Sequence, residues 1–130
     1  MTKFHTLETP MKQAIVKDFK DRGHYARRIE DAYSVGFPDL VLIPKEYPVF
    51  FCEAKIIRDN LFSPTPRQYV ELGRMAITRY AVPCILGYKD GVHYLHQYAE
   101  QVHYKDCVAQ EEWESMPHFF QRFYHERIEK

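Results

Sequence analysis

The sequence predicts a mixed α/β domain built on a central sheet, and three observations carry that reading. Apolar runs of strand length occur at Leu40–Ile43, Val49–Cys52 and Val82–Tyr88. Between and before them lie two stretches with helical spacing, each introduced by a Thr-Pro pair, Thr9-Pro10 and Thr65-Pro66, with Thr suited to cap a helix and Pro to its first turn. The pair Asp90-Gly91 then joins two strand-like runs as a tight hairpin of the type I′ class. The resulting order is helix, three strands, helix, two strands, helix.

In chain order, Met11, Ala14, Ile15 and Phe19 recur at helical spacing, and Gly23 ends the pattern, so a helix is predicted over about 10–22. Glu8 lies just before it, where the helix dipole favours a carboxylate. His24–Glu30 is short and reads as a first strand. Gly36 and Pro38 shape the entry to the second strand, Leu40–Ile43, and Pro38 fixes the backbone before Asp39. The third strand is Val49–Lys55. A polar, proline-bearing loop follows, and Thr65-Pro66 opens a helix to about Tyr80 whose buried stripe is Tyr69, Leu72, Met75, Ala76 and Tyr80. Val82–Tyr88 and Val92–His96 form the hairpin. Tyr98–Ala109 is poorly patterned, part strand or loop, and the end of the chain reads as a helix interrupted near Pro117.

At 130 residues the chain can enclose one core but not two, so it is read as a single domain. No stretch is apolar enough to span a membrane, and the first ten residues lack the apolar region of a signal peptide. Cys52 and Cys84 sit in apolar runs and, with Cys107, lack metal-site spacing, which suits reduced thiols in the cytoplasm. The formal net charge is zero, yet its distribution is uneven. Residues 11–30 and 55–80 are rich in Lys and Arg, whereas the chain from residue 100 onward is acidic. A local anion-attracting face is therefore compatible with a neutral whole.

Gly36–Lys55 is where charge and apolar runs collide. Asp39 opens one strand, and Glu53 and Lys55 close the next. Strand alternation points Glu53 and Lys55 one way and Ala54 the other. If the two strands pair, Asp39, Glu53 and Lys55 converge at one end of the sheet. Charges beside a core are costly unless paired or used. Two carboxylates suit a hard divalent cation such as Mg²⁺ or Mn²⁺, with the Ala54 carbonyl as a further ligand. The lysine suits charge stabilisation on a phosphate. A structural ion pair, Glu53–Lys55 or Asp39–Lys55, is the alternative for the same residues. His93 and His96 fall on opposite faces of a strand, so zinc is disfavoured. Met116, Phe119, Phe120, Phe123 and Tyr124 form an aromatic stripe that suits core or a dimer surface.

The run Gly36-Phe37-Pro38-Asp39, an apolar strand, Phe51-Cys52-Glu53-Ala54-Lys55, and then Gln68 opening a helix resembles the PD-(D/E)XK nuclease superfamily. More narrowly it resembles the small VRR-NUC branch, related to Holliday-junction resolvases and common as stand-alone phage proteins. The resemblance spans about residues 8–96, leaving a helical extension over about 110–128. It implies a restriction-endonuclease-like fold and Mg²⁺-dependent phosphodiester cleavage, with Asp39 and Glu53 as metal ligands and Lys55 as the catalytic lysine. It also implies Glu8 as a ligand from the first helix, by its distance from Gly23, and Gln68 as a residue holding the site or the phosphate. Arg28 and Arg67 are candidate phosphate contacts.

The expected function is a metal-dependent DNA endonuclease. The domain carries no helix-turn-helix or zinc finger to read bases, so selectivity for branched DNA, a four-way junction or flap, is expected. Symmetric action on a junction requires two sites and hence a homodimer or larger symmetric assembly, with the C-terminal stripe as a candidate interface. The phage-type resemblance implies action in the cytoplasm of a bacterial host. A sequence-specific restriction-type nuclease and a non-catalytic binding module of the same fold are the alternatives.

Overall fold

The first helix, α1 (Glu8–Asp21), buries Met11, Lys12, Ile15 and Phe19. It begins two residues before the predicted start, because the first N–H groups of a helix need no intrahelical partner and Pro10 is tolerated in the first turn. Ala14 faces solvent, and Lys12 takes a place on the buried stripe instead. Gly23 ends the helix at φ +83°, with its N–H bonded to Lys20 O at 3.0 Å and that of His24 to Phe19 O at 3.0 Å. The chain is seen here in a computed structural model that describes residues 7–29, 36–78 and 80–129. Glu30, at the end of the predicted first strand, and Arg79, in the predicted second helix, lie outside the described residues.

Strands β1 (Tyr25–Arg28), β2 (Leu40–Ile43) and β3 (Val49–Ile56) form an antiparallel meander. The short β4 (Leu61–Phe62) and helix α2 (Pro66–Ala76) lead to β5 (Ala81–Lys89), which pairs with β3 in parallel. The hairpin brings back β6 (Val92–Gln97), and Asp90 and Gly91 both take positive φ, as a type I′ turn requires. β7 (Val102–His103), a 3₁₀ turn and β8 (Val108–Ala109) resolve the stretch whose pattern was ambiguous. The main sheet has the order β1-β2-β3-β5-β6-β8, and β4 pairs with β7 in a separate ribbon. That ribbon gives structure to the loop predicted after β3.

Alternation along β3 and β5 sorts the two faces. Phe50, Cys52, Ala54, Cys84 and Leu86 pack with α1 and the C-terminal helix, α3 (Met116–Phe123), in the larger core. Ile85 packs with Leu72 of α2, Ile57, Phe62 and Val102 in the smaller one. The fold is thus a central mixed sheet flanked by helices, as expected of a restriction-endonuclease-like domain. Among the described residues no helix is long and apolar enough to cross a membrane.

Three expectations are corrected. Pro117 does not interrupt a helix: it lies in the first turn of α3, behind Ser115, whose hydroxyl accepts from the His118 N–H at 3.3 Å. The aromatic stripe is core, since Phe119, Phe120 and Phe123 are fully buried and Phe120 meets Phe19 and Phe50 edge-on at 5.6 and 5.2 Å. Tyr124, the last residue of the stripe, is half-buried against the same core, so of the two readings of the stripe the core reading holds. On α2 only Leu72 is fully buried, while Tyr80 is 73% exposed beyond a helix that ends at Ala76.

Candidate active site

β3 is longer than its partner β2. Their ladder ends at Leu40↔Cys52, whereas β3 stays paired with β5 through Ile56↔Tyr88. Past Cys52, the β2-facing edge of β3 has no strand opposite it among the described residues, and carboxylates take over. The Ala54 N–H points at Asp39 Oδ2 and the Ile56 N–H at Glu8 Oε2, each at 3.5 Å. In an extended strand a residue's N–H and C=O leave toward the same edge, so the Ala54 carbonyl faces this edge too. The Ala54 methyl does not point outward: it is fully buried in the larger core.

Extending the β2–β3 register by one residue sets Asp39 opposite Glu53, and the Asp39 N–H donates to Glu53 Oε1 at 3.0 Å. The Glu53 side chain is fully buried, and its second oxygen, Oε2, has no hydrogen-bond partner. Lys55, on the same strand face, places its Nζ 4.0 Å from that oxygen. Burial raises the Glu53 carboxyl to about 8, with the neighbouring Asp39 charge adding to the rise and Lys55 opposing it. A buried carboxylate oxygen without a partner is costly in a fold that needs nothing from it.

The first turns of α1 complete the cluster. Lys12 Nζ lies 2.7 Å from Asp39 Oδ2 and 3.5 Å from Glu8 Oε1. The structure thus gathers Glu8, Asp39, Glu53 and Lys55, all singled out from the sequence, together with Lys12, which was not. The signal for Lys12 was present: a charged residue at i+4 from Glu8, on the apolar stripe between Met11 and Ile15. Arg28 stands near the start of α1, its Nη2 3.4 Å from Thr9 Oγ1. Gln68 closes a capping box on α2, accepting from the Thr65 N–H at 2.8 Å while its own N–H donates to Thr65 Oγ1 at 3.2 Å. Its amide oxygen is therefore engaged in holding the helix start. Arg67 is exposed in the same turn. The backbone of that turn touches Gly36, where a Cβ would lie 3.0 Å from Arg67 O, so α2 abuts the segment that delivers Asp39.

The donor set fits a hard divalent ion, with two carboxylates from adjacent strands and a carbonyl at an open strand edge. Glu53 Oε2, buried with no hydrogen-bond partner among the described residues, is the specific mark of that fit. Among the described residues no three His, Cys, Asp or Glu side chains are close enough to form a metal cage by themselves. Glu8 turns to Lys12 and to the end of β3. Backbone and water would have to complete the coordination, as is usual for Mg²⁺.

No model of a known family matches the sequence, and no curated protein matches it. Among solved structures, the fold is similar to the 1.6 Å structure of Archaeoglobus fulgidus Hjc, a Holliday junction resolvase from an archaeal hyperthermophile, with a TM-score of 0.62. The match covers 77% of this chain and 93% of that one at 13% sequence identity. The likeness is one of fold: a central mixed sheet flanked by helices.

Proposed function

We propose that the protein is a divalent-metal-dependent endonuclease that hydrolyses phosphodiester bonds in branched DNA, a four-way junction or a flap. The observation that carries this reading is the fully buried Glu53, whose Oε2 has no hydrogen-bond partner among the described residues and only the Lys55 ammonium, 4.0 Å away, to offset it, where β3 outlasts β2. The fold shared with a Holliday junction resolvase supports the choice of branched DNA, and the P-D…E-x-K spacing in a small chain supports the VRR-NUC-like branch.

Asp39, Glu53 and the Ala54 carbonyl would hold Mg²⁺, for which Mn²⁺ can substitute, with Glu8 at the margin of the site. When bound, such an ion polarises a phosphoryl oxygen and lowers the pKa of a coordinated water. The remaining work belongs to the chain. The backbone N–H of Asp39 fixes Glu53 Oε1, so the carboxylate is oriented before substrate arrives. Lys55 presents an ammonium on the same strand face, where it can orient the attacking water or offset charge building on the phosphate. Arg28 and Arg67 stand at the margins, beside α1 and α2, as phosphate contacts. Gln68 acts by fixing the first turn of α2. Action on a symmetric junction calls for two such sites, hence a homodimer. The setting we assign is the cytoplasm.

The test is incubation of purified protein with linear duplex, flap and four-way-junction DNA in Mg²⁺, Mn²⁺ or EDTA. Cleavage of branched DNA that EDTA abolishes, and that Asp39→Ala or Lys55→Ala removes, is the expected result. No metal-dependent cleavage of any substrate would reject the enzyme reading, and sharp cuts at one linear sequence would point to a restriction-type nuclease.

A further inference from the structure

The proposed endonuclease site has an occupant that its metal ligands do not explain. Lys12 is only 9% exposed, and its ammonium lies between two carboxylates, Asp39 and Glu8. We propose that Lys12 fills the place of a second cation, so that the site takes one divalent ion per chain and not two. This rests on the nuclease reading and specifies the metal content of that same site.

The geometry separates two halves of the cluster. On one side, the Asp39 N–H holds Glu53 Oε1 at 3.0 Å, and Glu53 Oε2, without a hydrogen-bond partner among the described residues, has Lys55 Nζ 4.0 Å away; this half fits a metal ion. On the other, a second ion would have to share Asp39 with Glu8, the other carboxylate the described residues bring to this side. That space already contains Lys12 Nζ, 2.7 Å from Asp39 Oδ2 and 3.5 Å from Glu8 Oε1. Both Glu8 oxygens have partners in this arrangement, Oε1 with Lys12 and Oε2 with the Ile56 N–H.

Lys12 cannot readily swing clear. Its stem lies on the buried stripe of α1 between Met11 and Ile15, both packed in the larger core. Withdrawing the ammonium would leave a partly buried Asp39 without its cation, which costs more than an exposed pair would. Charge points the same way. With all carboxylates ionised, Glu8, Asp39 and Glu53 against Lys12 and Lys55 leave one net negative charge. One divalent ion turns this to a single positive charge, matched to the single negative charge of a phosphodiester. Two ions beside Lys12 would leave three positive charges in a small, partly buried volume.

The experiment is Mn²⁺ binding to the full chain, followed by loss of the free-ion electron paramagnetic resonance signal and by calorimetry. The wild type is expected to bind one Mn²⁺ per chain, a site lost in the double variant Asp39→Asn, Glu53→Gln. Lys12→Gln and Lys12→Met are expected to bind two, the second lost again on adding Glu8→Gln. Wild-type binding of two ions, with the second dependent on Glu8, overturns the proposal while leaving the nuclease reading intact. Folded Lys12 variants that still bind one ion overturn it too. No Mn²⁺ bound at all removes the nuclease reading and this inference with it. Where one Lys12 variant fails to fold, the other carries the comparison, and wild-type binding of two ions overturns the proposal without either.

Discussion

The backbone N–H of Asp39 holds Glu53 Oε1 at 3.0 Å, so the main chain of one strand orients the carboxylate of the next. This contribution to the position of Glu53 survives any change of the Asp39 side chain that keeps the backbone in place. Side-chain substitutions at Asp39 and at Lys55 should act on chemistry while leaving the site's frame in place.

Asp39→Asn and Lys55→Met are expected to lower cleavage of branched DNA by about 10²–10³-fold each, the scale of losing one electrostatic stabiliser in a site. Both should keep the wild-type circular dichroism spectrum. Activity within a few fold of wild type in either variant would show that the assigned residue does not serve the reaction.

Glu53 links the site to stability. Its carboxyl is raised from 4.5 to about 8 in the folded chain, chiefly by burial. The folded state therefore keeps a proton that the unfolded state releases, and stability falls as pH rises from about 4.5 to about 8. Glu53→Gln removes this dependence and can still accept from the Asp39 N–H. In EDTA it is expected to be more stable than wild type by about 3–5 kcal/mol at pH 8.5, with little difference at pH 4.5. Urea denaturation at the two pH values checks this. An equal effect at both would mean that Glu53 does not titrate in this range.

Glu114 works in the opposite sense. Burial alone would raise its carboxyl, but bonds from Arg122 at 2.8 Å, from the Glu111 N–H at 3.1 Å and from His118 at 2.6 Å outweigh this and hold it at about 2. Its contribution is complete above about pH 4.5 and is lost as pH falls through about 2. Arg122→Leu strands the buried carboxylate and is expected to cost about 3–5 kcal/mol at pH 7. The loss should be smaller at pH 3, where the stranded Glu114 can take up a proton. Thermal denaturation of both proteins at pH 3 and pH 7 tests the difference.

Gly36 and Gly23 provide a matched pair. Both have positive φ, +88° and +83°, so alanine at either meets a backbone cost of about 1 kcal/mol. A Cβ at Gly23 meets nothing within 4 Å, but at Gly36 it lies 3.0 Å from Arg67 O and 3.1 Å from Arg67 C. Gly23→Ala should lower stability modestly and spare cleavage. Gly36→Ala should push the Asp39 segment away from α2, with a larger stability loss and at least a tenfold loss of cleavage. Equal activity in the two variants would detach α2 from the positioning of Asp39.

Much of this arrangement is legible in the residues. The Thr65-Pro66 cap, the apolar runs of β2, β3 and β5 and the Asp-Gly turn locate most of the main elements, because each depends on local backbone chemistry, whereas Thr9-Pro10 marks α1 only to within a turn, its N-cap being Leu7. The pairing of β2 with β3 follows from their proximity in sequence and sets Asp39 against Glu53. Less was available where long-range contacts decide. Leu61–Phe62 is a strand only because β7 arrives beside it. The aromatic stripe of α3 fits a core and a dimer surface equally well as a pattern, and packing against Phe19 and Phe50 decides for the core. The place of Lys12 on the apolar stripe is legible, but Asp39 becomes its partner only when α1 is laid across the strands.

The shortfall of β2 relative to β3 has a practical consequence for anyone preparing inactive protein. Past Cys52, β3 is an edge strand in miniature, and its Ala54 and Ile56 N–H groups are shielded by the carboxylates of Asp39 and Glu8. Unshielded strand edges invite pairing with other chains. An inactive control that replaces both acids with alanine would expose that edge and bring self-association into the comparison. Lys55→Met, which leaves both carboxylates in place, avoids that hazard.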